Sequence, residues 1–201
     1  MLKLIALVTM LFDHVGYVFF PEAEWMRVIG RMTMPIFAYA IARGFHYTSN
    51  RKRYLIRLSI LAIISQVPFM LTFHEGWTLN TIFPWAITVA VLMAPLWTIP
   101  LVSTFGLFVP MDYTSLVILL PVFIYHFWFK EKRPVLLLLS TVPVLSFIAY
   151  ISAPIQWFAL LAIPLIWILE PYDGKVRLNK WVFYYFYPVH LMVIWVVSLL
   201  V

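Results

Sequence analysis

The sequence predicts an all-α, polytopic membrane protein, and three observations predict it. Of its 201 residues, 64% are apolar and only 11% are charged, against about 45–50% and 25% in soluble domains. The apolar residues fall into nine runs, at about 4–20, 25–46, 54–73, 80–96, 98–110, 113–129, 134–151, 154–169 and 181–200. The breaks between them, such as PEAE, TSNRKR, HEG, KEKRP and EPYDGKVRLNK, carry the turn formers and most of the charge. A helix crosses a bilayer in roughly 20 residues, so nine spans nearly fill the chain. One membrane domain over residues 1–201 is therefore expected, with function confined to the helices and short loops.

The first run carries Asp13-His14 in its middle and lacks a small-residue cleavage pattern, so it reads as a span and not as a removable signal peptide. The second opens with Arg27 and Arg31, and Pro35 should kink it just beyond Arg31. The third carries Ser59, Gln66 and Pro68, and Asn80 opens the fourth. The fifth is short, with Pro95, Pro100 and Pro110 around it, and reads either as a crossing or as a re-entrant or broken segment that would leave eight spans. Charge favours the crossing. With the N-terminus cytoplasmic and nine spans, Lys3, Arg51, Lys52, Arg53, Arg57, Lys130, Lys132, Arg133, Lys175, Arg177 and Lys180 all face the cytoplasm, eleven of the 14 basic residues. Glu22, Glu24, Glu75 and Asp112 then lie on the other side.

The same placement explains the net charge of +6 without a nucleic-acid partner, since short basic loops are what orientation and anionic headgroups require. With no cysteine, disulfides, thiolate metal sites and cysteine nucleophiles are absent, and no metal is expected. There is no HExxH, no G-x-S-x-G, no P-loop and no dinucleotide-binding glycine pattern. Only six glycines are present, so a phosphate grip would have to use Arg and Lys.

Ionisable groups inside apolar runs are the best functional candidates, because they are costly there and usually face a bundle interior or cavity. Asp13 and His14 are consecutive and point about 100° apart on a helix, so no single apolar neighbour hides both. Arg31 should lie about 9 Å deeper than the start of its run, where it needs a partner, and Asp13 is the natural one. Arg27, one turn nearer the interface, reads as a snorkelling residue. In the last run Phe183, Tyr187 and His190 share a stripe, with His190 near mid-membrane and Pro188 freeing a carbonyl. Near the other end of the second run, Tyr39, Arg43 and His46 share a face and lead into Arg51, Lys52, Arg53 and Arg57. That group reads either as positive-inside bias or as a cytoplasmic anion site. Asn80, Asp112 and Tyr113 read as caps and interfacial anchors or as cavity residues, and His74 and His126 as interfacial.

A deep ionisable group and an inner basic group together fit acyl transfer from a cytoplasmic acyl-CoA, with a histidine as general base and Arg31 or His190 on the developing oxyanion. They also fit a proton-coupled small-molecule transporter, or an assembly or scaffold protein whose polar residues only join helices. The stretches KLIALVTMLFDHVG (3–16), RVIGRMTMPIFAYAIARGFHYTSNRKRYLIRL (27–58), SQVPF (65–69), LN (79–80), DY (112–113) and FYYFYPVHL (183–191) resemble the TraX family, membrane proteins associated with N-terminal acetylation of F-type pilin, itself similar to the wider transmembrane acyltransferases. The resemblance spans most of the chain and is loose at roughly 85–180 apart from DY. It implies an acetyl-CoA- or acyl-CoA-dependent N-acyltransferase of the bacterial cytoplasmic membrane, with a pilin or other membrane peptide as a conceivable acceptor. On this reading Asp13, His14, Arg31 and His190 are catalytic. Arg43, His46, Arg51, Lys52, Arg53 and Arg57 hold the donor, and Gln66, Asn80, Asp112, Tyr113 and Tyr187 line the substrate cavity. Gly30, Pro35, Gly44 and Pro68 are further motif positions, whereas Thr114 stands where a glycine often follows the DY pair.

Overall fold

The computed structural model describes residues 1–95, 97–106, 108–113, 115–173 and 179–200. Thr114, Lys175 and Arg177, and the side chain of Lys180, lie outside the described part. Among the described residues ten α-helices follow one another: α1 (Leu2–Phe19), α2 (Glu24–Gly30), α3 (Thr33–Tyr47), α4 (Arg51–Phe73), α5 (Ile82–Met93), α6 (Thr98–Gly106), α7 (Leu119–Phe123), α8 (Pro134–Ser152), α9 (Ala162–Leu169) and α10 (Lys180–Ser198). Tighter 3₁₀ turns precede α7 at Ser115–Ile118 and flank α9 at Pro154–Leu161 and Glu170–Tyr172, and a π-helical stretch, Ile124–Lys130, follows α7. Among the described residues there is no β-strand, and the sole extended pairing is a bridge between Leu79 and Met111.

Among the described residues five helical stretches are long and apolar enough to cross a membrane: Leu2–Phe19, Arg51–Phe73, Pro134–Ile151, Pro154–Tyr172 and Trp181–Ser198. They match the first, third, seventh, eighth and ninth apolar runs. The helices of the other runs are shorter. Ile82–Met93 has 12 residues and Thr98–Gly106 nine, which at 1.5 Å per residue reach only about 18 and 14 Å of a hydrocarbon core about 30 Å thick.

The second run is interrupted at residues 31–32, where Pro35 is expected to disturb it. Pro35 has no N–H to give the carbonyl four residues back, and its ring crowds that carbonyl, which belongs to Arg31. The chain accordingly leaves α2 at Gly30, passes through a tighter turn in which Met32 N–H donates to Ile29 O at 3.3 Å, and restarts at Thr33. Pro35 then lies in the first turn of α3, where its missing donor costs nothing.

Apolar medium also dictates where the hydroxyls go. Thr9, Thr72, Thr88, Ser140 and Thr141 each donate to the carbonyl four residues earlier in their own helices, at 2.7–2.9 Å. On α4, Ile56, Ile60, Ile63, Ile64 and Val67 form an exposed apolar stripe at helical spacing, a face that a bilayer covers without penalty.

Packing divides the chain into two compact units, residues 1–37, 64–76 and 153–201, and residues 38–63 and 77–152. In the first, α1 packs on α2 and on α10, and α2 meets the 154–161 turn. Asp173 Oδ1 accepts the Leu2 N–H at 3.0 Å, a carboxylate at the positive end of the α1 dipole. In the second, α5 and α6 pack on the 115–118 turn, and α8 on α7 and the π-helical stretch.

Candidate functional site

The residues singled out by the sequence separate into two clusters, one in each unit. Asp13, His14, Arg31, Gln66, Tyr187 and His190 belong to the first unit, and Arg43, His46, Arg51, Lys52, Arg53, Arg57, Asn80, Asp112 and Tyr113 to the second.

In the first unit, α1 sends Asp13 and His14 to different neighbours, as their 100° separation requires. Asp13 faces α2 and is buried, at 7% exposure. Its Oδ1 forms an ion pair with Arg31 Nη2 and lies 3.0 Å from Arg27 Nε. Arg31, itself buried, also donates from Nε to the Arg27 carbonyl at 3.3 Å. Gly30 makes this approach possible, because a Cβ there would occupy the space of the Asp13 side chain. Nearby, Thr33 Oγ1 donates to Thr9 Oγ1 at 2.8 Å. Two guanidinium groups therefore converge on one carboxylate oxygen. Arg27 was the residue that sequence reasoning undervalued; its position four residues before Arg31, on the same face, was the available signal.

His14 faces α10. Its Nδ1 lies 2.8 Å from His190 Nε2, with the two ring planes 8° apart. His190 Nδ1 in turn lies 2.7 Å from the Phe186 carbonyl. A carbonyl only accepts, so the Nδ1 of His190 carries the proton. With both rings neutral, His190 Nε2 is then the acceptor and His14 Nδ1 the donor. This directional chain leaves His14 Nε2 with its lone pair, and no hydrogen bond to that atom is formed among the described residues. Phe73 packs edge-on against the His14 ring at 5.0 Å, and Tyr187 packs against both rings, at 6.5 Å from His14 and 5.7 Å from His190. The Phe183, Tyr187 and His190 stripe thus faces α1, where Lys3 also lies over Phe183 at 5.0 Å.

A cavity of about 430 Å³ lies between Leu11, Val15 and Phe19 of α1 and Phe186, Val189, Val193 and Ile194 of α10, and its one polar lining residue is His190. Gln66, on α4 in the same unit, is half-buried.

In the second unit, the Tyr39, Arg43 and His46 stripe faces the π-helical stretch. Tyr39 meets Phe129 at 5.7 Å, and His46 stacks on Phe129 at 5.0 Å. Arg43 lies over Tyr47 at 5.8 Å and Arg51 over Phe45 at 4.6 Å, both cation–π contacts. Lys52 and Arg53 are exposed, while the Nε of Arg57 is buried with no hydrogen-bond partner. Gly44 allows α3 to approach α4: a Cβ there would come within 2.7 Å of the Tyr54 hydroxyl, which donates to Ile41 O at 3.5 Å.

The LN and DY pairs meet. Leu79 N–H donates to Pro110 O at 2.9 Å and Asp112 N–H to Leu79 O at 2.8 Å, and Tyr113 takes a left-handed φ of 58°. Asn80 is fully buried. Its Nδ2 donates to Ala62 O at 2.8 Å and its Oδ1 accepts the Ile82 N–H at 3.0 Å. The geometry of Asn80 is that of a clasp joining the 79–82 turn to α4.

The family profile described as TraX protein matches residues 1–198. Over 227 aligned residues, covering 94% of this chain and 91% of the relative, the chain is 26% identical to a probable fimbrial assembly protein, FimC, of Dichelobacter nodosus. It is also 36% identical, over 69 residues, to an uncharacterised protein of Rickettsia prowazekii, a match covering 34% of this chain and 27% of the relative. No solved structure matches the chain.

Proposed function

The chain belongs to the TraX family, and from that premise we propose that it is a membrane-embedded acyltransferase, moving an acetyl or similar acyl group from an acyl-CoA to an amino group. The observation that carries this reading is the directional chain from His14 through His190 to the Phe186 carbonyl. It holds one imidazole in the tautomer whose Nε2 can take a proton, and it supplies a second imidazole to share the charge that follows. His14 is accordingly the general base and His190 its positioning partner.

The amine nitrogen attacks the thioester carbon while His14 Nε2 removes its proton. The carbon–sulfur bond then breaks, and the CoA thiolate takes the proton back from His14, giving amide and free thiol. His190 has both ring nitrogens engaged, so the oxyanion role falls to Arg31 and not to His190. Asp13 orients the arginines and does not orient His14. In the second unit, Arg43 and Arg57 with His46, Arg51, Lys52 and Arg53 hold the donor's phosphates, for which guanidinium forks are suited. The acceptor is a membrane peptide, and a pilin-like subunit is consistent with the fimbrial relative's name. Nine crossings with a cytoplasmic N-terminus remain the topology that best places the basic loops, in a bacterial cytoplasmic membrane.

The reading is tested by incubating the purified protein in nanodiscs with labelled acetyl-CoA and short amine-bearing peptides. Labelled amide and stoichiometric free CoA are expected, and Arg43→Gln or Arg57→Gln should raise KM for acetyl-CoA about tenfold with kcat little changed. Absence of any amide product across acceptors, with intact CoA, contradicts the reading. One observation favours a second: the FimC relative is named for assembly. A scaffold whose polar residues only join helices would support fimbrial assembly equally well after His14→Ala.

A further inference from the structure

Tyr47 ends α3 with 70% of its surface exposed, yet its ring is held from several sides. The His46 and Phe129 rings, stacked on each other at 5.0 Å, both stand nearly perpendicular to it, with centroids at 4.7 and 6.2 Å. The Arg43 guanidinium lies over it at 5.8 Å. The corner that follows is fixed by hydrogen bonds: Thr48 N–H donates to Gly44 O at 3.0 Å, and Asn50 Oδ1 accepts the Arg53 N–H at 2.8 Å. An exposed tyrosine near a membrane surface ordinarily serves as an interfacial anchor, a role that requires no such bracing.

Two basic segments of the same unit border this ring. Arg51, Lys52 and Arg53 open α4 just beyond the corner, with Arg51 4.6 Å from the centre of the Phe45 ring. Lys130 and Lys132 follow Phe129. These lysines and arginines are exposed and form no ion pair among the described residues. Glu131, the one acid of its segment, lies 3.8 Å from Arg133 instead. Cations alone suit any phosphate, and an exposed ring alone suits any apolar surface. A braced ring flanked by unpaired cations suits a ligand that joins a flat aromatic face to phosphates, which is the chemistry of a nucleotide.

We propose that Tyr47 stacks on the purine base of a nucleotide whose phosphates are taken by the 51–53 and 130–132 segments. Resting on the acyl-transfer reading, that nucleotide is the adenosine portion of the acyl-CoA donor. Tyr47 is then the residue by which the protein distinguishes CoA from a phosphate-bearing donor without a base.

The test measures Kd for CoA, ADP and inorganic pyrophosphate on the full chain in phosphatidylcholine nanodiscs, where no anionic lipid competes, and reads amide formation from acetyl-CoA separately. Tyr47→Leu should raise Kd for CoA and for ADP about tenfold while that for pyrophosphate moves by less than about twofold. Tyr47→Trp, which keeps an aromatic face, should bind CoA and ADP as the unsubstituted protein does. Lys130→Gln together with Lys132→Gln should weaken binding of all three probes. Unchanged affinity of Tyr47→Leu for CoA and ADP, an equal loss for pyrophosphate, loss of ADP binding in Tyr47→Trp, or no binding of ADP by the unsubstituted protein overturns the proposal. Binding of CoA and ADP that depends on Tyr47, without any amide product, supports the stacking site and contradicts acyl transfer alone. Amide formation with affinities that do not depend on Tyr47 does the reverse.

Discussion

Asp13 shows how a single buried charge organises its surroundings. Replacing it by Asn removes the carboxylate charge that Arg27 and Arg31 share, and breaking a buried pair in this way costs about 3–5 kcal/mol. Asp13→Asn should therefore lower Tm sharply in detergent. Gly30→Ala attacks the same contact from the other side, because the added methyl overlaps the Asp13 side chain. Overpacking of this kind costs about 1–3 kcal/mol, so a Tm unchanged by Gly30→Ala would refute the close approach. The divergence of Asp13 and His14 was legible in the sequence, because the helical angle between consecutive residues is fixed. Partner identity was only half legible: one carboxylate among apolar residues pointed to Arg31, but the second arginine and the meeting of His14 with His190 depend on how separate helices pack.

At the scale of elements, proline explains what hydropathy alone misses. The interruption at 31–32 falls where Pro35 was expected to disturb the helix, and from it Arg31 reaches Asp13. Pro35→Ala restores an N–H to the Arg31 carbonyl. It should lengthen the helix across the break and pull Arg31 off its carboxylate, giving more helical circular dichroism with a lower Tm. The π-helical stretch that brings Tyr125 and Phe129 against α3 had no signature in composition or periodicity. The LN and DY pairs were visible as pairs, yet their backbone bridge joins residues more than thirty apart, which local pattern cannot reveal. Asn80→Ala should cost about 1–3 kcal/mol, since it strands the N–H of Ile82 at the start of α5 and removes the second donor to the Ala62 carbonyl. A neutral result would mean that Asn80 is not a clasp.

For the whole molecule, the nine apolar runs were legible as helical, but among the described residues only five helical stretches reach spanning length, and one of these, Pro154–Tyr172, is 3₁₀ turns on either side of the short α9. Hydropathy records apolar content, whereas the length of unbroken helix depends on where prolines and tight turns fall. The chain has no cysteine, so topology can be mapped by single cysteines in an otherwise unaltered sequence. Lys3→Cys, Lys52→Cys and Lys132→Cys should react with an impermeant maleimide only from the cytoplasmic side, and Glu22→Cys and Glu75→Cys only from the other. Labelling of the Lys132→Cys variant from the opposite side would remove the fifth crossing.

The claim on which the proposed function turns is that the free nitrogen of His14 takes the proton. The most direct measurement is single-turnover acyl transfer in nanodiscs, with CoA affinity measured on the same samples. His14→Ala should slow transfer by about 10²–10⁴-fold while the Kd for CoA stays within about twofold, and His190→Gln should slow it less. Transfer by His14→Ala at the rate of the unsubstituted protein would contradict the assignment.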